Sequence, residues 1–125
     1  MLENVFYVAA GAILGALASY AITHFSSEAT QHAGFPVGTL VVNVVGSFIV
    51  GWVLTWTTDH SHDRWRLFAS VGFCGAFTTF SAFAFESMIY WRQGKMGLFA
   101  ANVVANNTLC CLAVVAGVFA RYRTR

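Results

Sequence analysis

The sequence predicts an all-α membrane protein in which four helices cross the bilayer and the third helix is broken near its middle. Hydrophobic residues make up 58% of the chain and charged residues 10%, against roughly 25% charged in an average soluble domain. Four apolar stretches each reach the ~20 residues needed to cross a hydrocarbon core about 30 Å thick. The third stretch contains Gly and Thr pairs, which weaken helices. With one Pro and no low-complexity tract, we expect a single domain, residues 1–125.

The predicted spans cover residues 5–25, 37–57, 67–91 and 97–120. The first follows Glu3 and continues past Tyr20 at spanning length, so it is interpreted as a retained helix and not as a signal peptide. Pro36 starts the second helix after a break at Gly34. Amphipathic aromatic residues mark the boundaries, as they do at membrane interfaces: Trp52, Trp56, Trp65, Tyr90, Trp91 and Tyr122. An even number of crossings places both termini on one side.

Charged residues give the orientation and exclude one class of partner. The side that holds the termini carries five Lys or Arg residues and the other side two, which favours cytoplasmic termini. The difference is small, so insertion in both orientations stays open. The net charge of +2 is scattered, which excludes a nucleic-acid partner.

Three features have ordinary structural interpretations. Gly11, Gly15 and Ser19 share one face of the first helix, and Gly46, Ser47 and Gly51 lie in the second; both sets predict close helix packing within the chain. The cysteines Cys74, Cys110 and Cys111 lie in apolar segments without C-x-x-C spacing and are interpreted as small core residues. Residues 59–63, Asp-His-Ser-His-Asp, have the chemistry of metal ligands, but a solvated connector has the same composition.

Polar residues inside the spans are costly and therefore informative. Glu86 is the only clear acid in the predicted membrane interior, which makes it a functional candidate or an interfacial residue that reaches the headgroups. Asn43, Asn102 and Asn106 need hydrogen-bond partners, and either interhelical bonding or a polar path explains them.

Residues 72–86, GFCGAFTTFSAFAFE, contain the predicted break. Gly72 and Gly75 weaken the helix, and Thr78 and Thr79 can bond locally instead of continuing it. Carbonyl groups freed between Gly75 and Thr78 would then face a cation.

Phe77, Phe80 and Phe83 follow at three-residue spacing, with the hydroxyls of Thr79 and Ser81 between them. Such a stripe is typical of core packing. Ring edges turned to a narrow path would instead host a small anion, and ring faces a cation.

The chain resembles the CrcB/Fluc fluoride channels over its whole length. The resemblance rests on Gly11-x-x-x-Gly15, on residues 38–43 (GTLVVN) and on residues 72–83 (GFCGAFTTFSAF). It implies an antiparallel, dual-topology homodimer in the cell inner (plasma) membrane, with two pores that export fluoride passively and relieve its toxicity.

The resemblance also implies roles for individual residues. Phe80 and Phe83 match a phenylalanine box whose ring edges hold fluoride, and Asn43 matches an asparagine that supplies amide donors. The remaining fluoride-path matches are Thr79, Ser81 and Glu86. The backbone carbonyls of Gly75 and Thr78, from both subunits, match the ligands of a structural sodium ion.

Four positions depart from the family pattern. Family members usually carry Arg at Ser19, Thr at Ala82, and Tyr and Ser at Asn102 and Asn106. Because amides also donate hydrogen bonds, Asn102 and Asn106 are expected to rebuild the fluoride path.

The sequence is also compatible with two other functions. A small dimeric proton-coupled exporter of hydrophobic cations would use a buried acid, Glu86, among aromatic faces, although the first span contains no acid. A non-transporting assembly subunit would use the Asn and Gly residues only to join helices. An enzyme is excluded, because no nucleophile, base and orienting group occur together.

Overall fold

The computed structural model describes residues 1–29, 34–56 and 63–124. α1 is Leu2–Ala29 and α2 is Val37–Trp56. We call residues 63–77 α3; it comprises an α-helical turn Asp63–Arg66, a π-helical stretch Leu67–Cys74 and a short α-helical stretch Gly75–Phe77. α4 is Phe80–Arg92 and α5 is Met96–Arg123.

Four crossings follow from these helices, with α3 and α4 forming the third. All four are long and apolar enough to span a membrane, which confirms the all-α fold and the broken third helix. The predicted third span began at Leu67, whereas the helix begins at Asp63. Residues 59–62 of the loop with metal-ligand chemistry lie outside the described residues.

Contacts at the two ends of the bundle show that both termini lie on one side, as predicted. Near the N-terminus, Arg64 Nη2 lies 3.0 Å from Glu3 Oε2. Near the C-terminus, the guanidinium of Arg121 lies 5.7 Å from the ring centroid of Trp52 at the end of α2. At the opposite end, the hydroxyl of Tyr90 donates to the carbonyl of Gly34 (2.8 Å).

Glycines on α1 and α3 let the two backbones touch. A Cβ at Gly11 would meet the Phe68 carbonyl oxygen, and one at Gly15 would meet the Phe73 carbonyl oxygen. A Cβ at Gly72 would in turn meet the Val8 carbonyl oxygen. Gly72 therefore allows close packing and does not interrupt the helix, and the predicted packing role of Gly11 and Gly15 is confirmed.

The π-helical stretch of α3 is the part of the fold that the sequence did not predict. Its wider turns carry hydrogen bonds across five residues, such as the one from the Gly75 N–H to Ser70 O. This stretch contains Phe68 and Phe73, whose backbones meet α1.

α2 packs closely on α5 and also touches the break in the third crossing. A Cβ at Gly51 would meet the Val114 carbonyl oxygen, and one at Gly117 would meet the Phe48 carbonyl oxygen. Gly46 lies against the Thr78 methyl group. α2 is thus held between the break and α5, and Gly46 and Gly51 have the packing role that the sequence predicted.

The cysteines divide between core and surface. Cys74 is buried, as predicted, Cys110 is half-buried, and Cys111 is exposed. The prediction was wrong for Cys111, because it lies on the side of α5 that no other described helix covers.

Candidate functional site

Thr78 and Thr79 interrupt the third crossing because both adopt extended backbone conformations. Their φ, ψ angles are −84°, 150° and −141°, 108° respectively. The N–H (3.0 Å) and the hydroxyl (2.9 Å) of Thr78 both donate to the carbonyl oxygen of Cys74, four residues earlier. The Thr79 hydroxyl caps α4 by accepting from the Ala82 N–H (3.2 Å). The predicted local bonding of this Thr pair is confirmed.

The side chain of Asn43, on α2, forms hydrogen bonds with the backbone N–H and carbonyl groups of Thr79 at the break. Its Oδ1 accepts from the Thr79 N–H (2.8 Å), and its Nδ2 donates to Thr79 O (3.2 Å) and to Asn106 Oδ1 (3.0 Å). Because an unsatisfied backbone group in lipid costs several kcal/mol, this contact stabilises a broken helix at membrane depth.

The break diverts the regular donors of two carbonyl groups. In a continuous α-helix the Thr79 N–H would donate to Gly75 O, but it donates to Asn43. The Ala82 N–H would donate to Thr78 O, but it donates to the Thr79 hydroxyl. Gly75 and Thr78 are the two residues whose carbonyls were expected to hold sodium, and carbonyl oxygens are suitable ligands for a hard cation.

A groove of about 340 Å³ lies beside the break, between α2, α4 and α5. The rings of Phe80 and Phe83 line it with centroids 5.4 Å apart and planes tilted by 58°. The Phe80 side chain is 78% exposed, whereas Phe83 is 9% exposed. The residues that line the groove are Asn43, Ser47, Val50, Thr78, Phe80, Phe83, Asn106, Asn107, Cys110, Cys111 and Val114.

The groove brings together four of the residues that the sequence placed on the fluoride path: Asn43, Phe80, Phe83 and Asn106. Two more, Thr79 and Ser81, flank Phe80 in the sequence, and their hydroxyls are 3.2 Å apart at the start of α4. Anion contact by any of them stays a prediction.

The other two predicted residues lie outside the groove. Asn102 is completely buried, and its Nδ2 donates to Ser87 Oγ (3.0 Å). Glu86 Oε1 accepts from the Thr39 hydroxyl at 2.5 Å, and its buried Oε2 has no hydrogen-bond partner among the described residues.

Sequence reasoning did not place several residues at this site, although it had named Ser47 as a packing residue and Cys110 as a core residue. Ser47 follows Asn43 by four residues, and Cys110 follows Asn106 by four, so each pair shares a helix face. That spacing would have identified both. No sequence pattern indicated a site role for Thr39 or Ser87, which the structure identifies as the hydrogen-bond partners of Glu86 and Asn102 respectively.

No described residue that lines the groove carries a formal charge. The lining combines aromatic rings, amides, hydroxyls and thiols with aliphatic groups. Such groups bind a small ion weakly through partial charges, and weak binding allows an ion to leave again.

Comparison with known proteins identifies the family. Residues 6–118 match the family described as CrcB-like protein, Camphor Resistance (CrcB). A relative from Koribacter versatilis, named fluoride-specific ion channel FluC, is 49% identical over 111 residues, covering 87% of each chain. FluC proteins from Shewanella amazonensis (38% identity; 93% of this chain and 94% of the relative) and Cereibacter sphaeroides (40%; 96% and 95%) are also similar.

These relatives are ion channels and not enzymes, in agreement with the exclusion of an enzyme from the sequence. Their names also favour a channel over a proton-coupled exporter or an assembly subunit. The four spanning helices make the chain a multi-pass membrane protein. The family match covers most of its length, and the chain therefore belongs to the CrcB/Fluc family.

Proposed function

We propose that this protein is a fluoride channel that exports the ion passively across the cell inner (plasma) membrane and relieves its toxicity. The observation that carries the proposal is the 49% identity, over 87% of both chains, to a relative named fluoride-specific ion channel FluC. The uncharged groove beside the break supports it, because it contains the Phe pair and the amide groups at membrane depth.

The Phe pair suits a small anion. Edges of aromatic rings carry partial positive charge, and the tilt of 58° means that the rings of Phe80 and Phe83 do not stack face to face. The C–H ring edges then replace part of the water around fluoride without a formal charge that would trap it.

A second copy of the chain completes the path in this proposal. The groove is open along one side, where Phe80 and Cys111 are exposed, and an open groove in lipid does not enclose an ion. An antiparallel partner would cover it, and the symmetry of two copies gives two pores. The difference of five against two basic residues between the sides is small, and it is therefore compatible with insertion in both orientations.

A structural sodium ion fits the two carbonyls at the break. Gly75 O and Thr78 O lack their regular helical donors. Gly75 is exposed, and within the described part of the chain only Ser70 O (3.9 Å) lies near the position of a Cβ. One chain offers two such oxygens, and a symmetric partner would bring the same pair to a shared site. The bound ion would be coordinated by the carbonyl oxygens of both subunits and would thereby hold the subunits together.

An efflux measurement tests fluoride conduction. Purified protein is reconstituted in liposomes loaded with potassium fluoride or potassium chloride, and valinomycin is added to carry the compensating charge. We expect rapid release of fluoride and no release of chloride above protein-free liposomes. Retention of both anions by an intact, correctly inserted protein would refute the channel proposal, and equal release of both would refute its selectivity.

A further inference from the structure

Side-chain hydrogen bonds run from the break through the interior and back to the first turn of α4. From Asn43, the next link is Asn106, whose Nδ2 donates to Asn102 Oδ1 (2.8 Å) and Asn102 O (3.2 Å). Asn102 Nδ2 then donates to Ser87 Oγ (3.0 Å), and Ser87 Oγ donates to Phe83 O (2.8 Å). We call Asn43, Asn106, Asn102 and Ser87 the relay.

We propose that Asn102 and Ser87 are positioning residues, which fix Asn43 and the Phe pair through the relay and do not contact the permeating anion. The assignment rests on the proposed function. It gives Asn102 a different role from the fluoride contact that the sequence led us to expect.

Burial separates Asn102 and Ser87 from the groove. Asn102 is 0% exposed and Ser87 7% exposed, and neither lines the groove. Both N–H groups of Asn106 Nδ2 point to Asn102, at Oδ1 and at O. A buried polar group that loses its hydrogen-bond partner destabilises the fold. Each hydrogen bond of the relay therefore constrains the orientation of the next side chain.

The backbone fixes the direction of the relay. At one end the Thr79 N–H can only donate, so it requires Asn43 Oδ1 and leaves Asn43 Nδ2 to donate onwards. At the other end Phe83 O can only accept, so the Ser87 hydroxyl donates to it. Only one orientation of the three amides satisfies both ends.

Both ends of the relay lie on the segment that carries the Phe pair. Thr79 immediately precedes Phe80, and Phe83 completes the first turn of α4. The relay reaches these two points through α2 and α5. Loss of an inner link would therefore disturb both the amide of Asn43 and the start of α4, although neither Asn102 nor Ser87 touches the groove.

Ser87→Ala tests the inference against a matched control. Ser87 and Ser70 each donate to the carbonyl four residues earlier at 2.8 Å, but only Ser87 accepts from Asn102. In reconstituted dimers we expect Ser87→Ala to lower fluoride efflux about tenfold, the equivalent of one lost hydrogen bond of typical strength. Ser70→Ala should conduct like wild type, and Ser87→Thr, which keeps the hydroxyl, should restore efflux.

A spectroscopic measurement separates positioning from a local structural role. The side-chain amide resonances of Asn43, assigned by NMR in nanodiscs, should shift in Ser87→Ala and in Asn102→Leu but not in Ser70→Ala. In efflux, the double variant Ser87→Ala/Asn102→Leu should be no slower than the slower single variant, because both changes break one relay.

Unmoved Asn43 resonances in Ser87→Ala, or efflux losses that multiply in the double variant, would overturn the inference. If Asn102→Leu does not assemble, the efflux of the Ser87 variants and their Asn43 resonances still test the positioning role. If wild type conducts no fluoride, the proposed function fails, whereas the NMR comparison still tests the relay.

Discussion

At the scale of single residues, Phe80 and Phe83 differ in what their side chains contribute to folding. Phe83 is 9% exposed and packs in the core of the chain, whereas Phe80 is 78% exposed. Replacing Phe83 therefore removes packing as well as any ion contact, and large core truncations cost a few kcal/mol. Phe80 is the cleaner probe of function.

We predict that Phe80→Ile lowers fluoride efflux by more than about tenfold, a barrier change above about 1.4 kcal/mol, with little change in the thermal midpoint of the purified protein. Ile keeps the apolar volume but lacks an electropositive ring edge. Phe83→Ile should lower efflux as well, but with a lower thermal midpoint. Efflux and circular dichroism melting measure the two effects.

Phe85→Ile is the matched control, because Phe85 lies on the same helix, is 68% exposed and does not line the groove. We expect it to conduct like wild type. Unchanged efflux in Phe80→Ile would show that the ring only packs.

At the scale of helices, the α1–α3 contact depends on backbone meeting backbone. Gly11, Gly15 and Gly72 leave no room for a Cβ, and close approach of this kind is how helices associate in lipid, where apolar burial gives no driving force. The π-helical stretch of α3 lies on the other side of the same contact.

We predict that Gly15→Ala destabilises the protein by about 1–3 kcal/mol, because a new methyl group would collide with the Phe73 carbonyl oxygen. The measurement is the fraction folded against denaturant in detergent micelles. Gly97→Ala is the control, since a Cβ at Gly97 would meet no atom of the described residues within 4 Å and Ala favours helix. Equal stability of the two variants would contradict this account of the contact.

At the scale of the whole molecule, a single chain leaves much of its apolar surface uncovered. Large apolar side chains are exposed on every crossing, including Phe6, Leu17, Phe48, Val71, Phe85, Val104 and Phe119. Lipid accounts for such surface on the outside of a bundle. The groove and the break, by contrast, expose amide and carbonyl groups that a second copy would cover.

We predict that the dimer is weaker without sodium. Replacement of sodium by N-methyl-D-glucamine, a cation too large for a site of carbonyls, should lower the dimer fraction measured by subunit capture in liposomes at increasing dilution. Thr78→Ser should respond to sodium like wild type, because the backbone carbonyl is the ligand. A dimer fraction independent of sodium at all dilutions would exclude the site, and monomers throughout would exclude the dimer.

Much of the fold followed from the sequence because lipid imposes length and polarity on each crossing. The second span was predicted at residues 37–57 and is Val37–Trp56, and the Thr pair at 78 and 79 marked the break. The π-helical stretch was missed, because apolar periodicity does not distinguish wider turns in a helix that is apolar on most sides.

The candidate site was predictable in its residues but not in its contacts. Phe80, Phe83, Asn43 and Asn106 were singled out and line one groove. That Asn43 bonds to the Thr79 backbone, 36 residues away, depends on how two helices cross, which spacing along one helix does not reveal. The burial of Asn102 depends on the same crossing geometry.

The break also places two helix ends in the middle of the third crossing. A helix has a dipole, with a charge of about +0.5 at its N-terminus and about −0.5 at its C-terminus. α3 ends at Phe77, so its negative end lies beside the carbonyls of Gly75 and Thr78, while the positive end of α4 begins at Phe80, in the groove. A two-residue interruption thus brings partial charges of both signs into one crossing, a negative helix end that favours a cation and a positive helix end that favours an anion, and no described residue that lines the groove carries a formal charge.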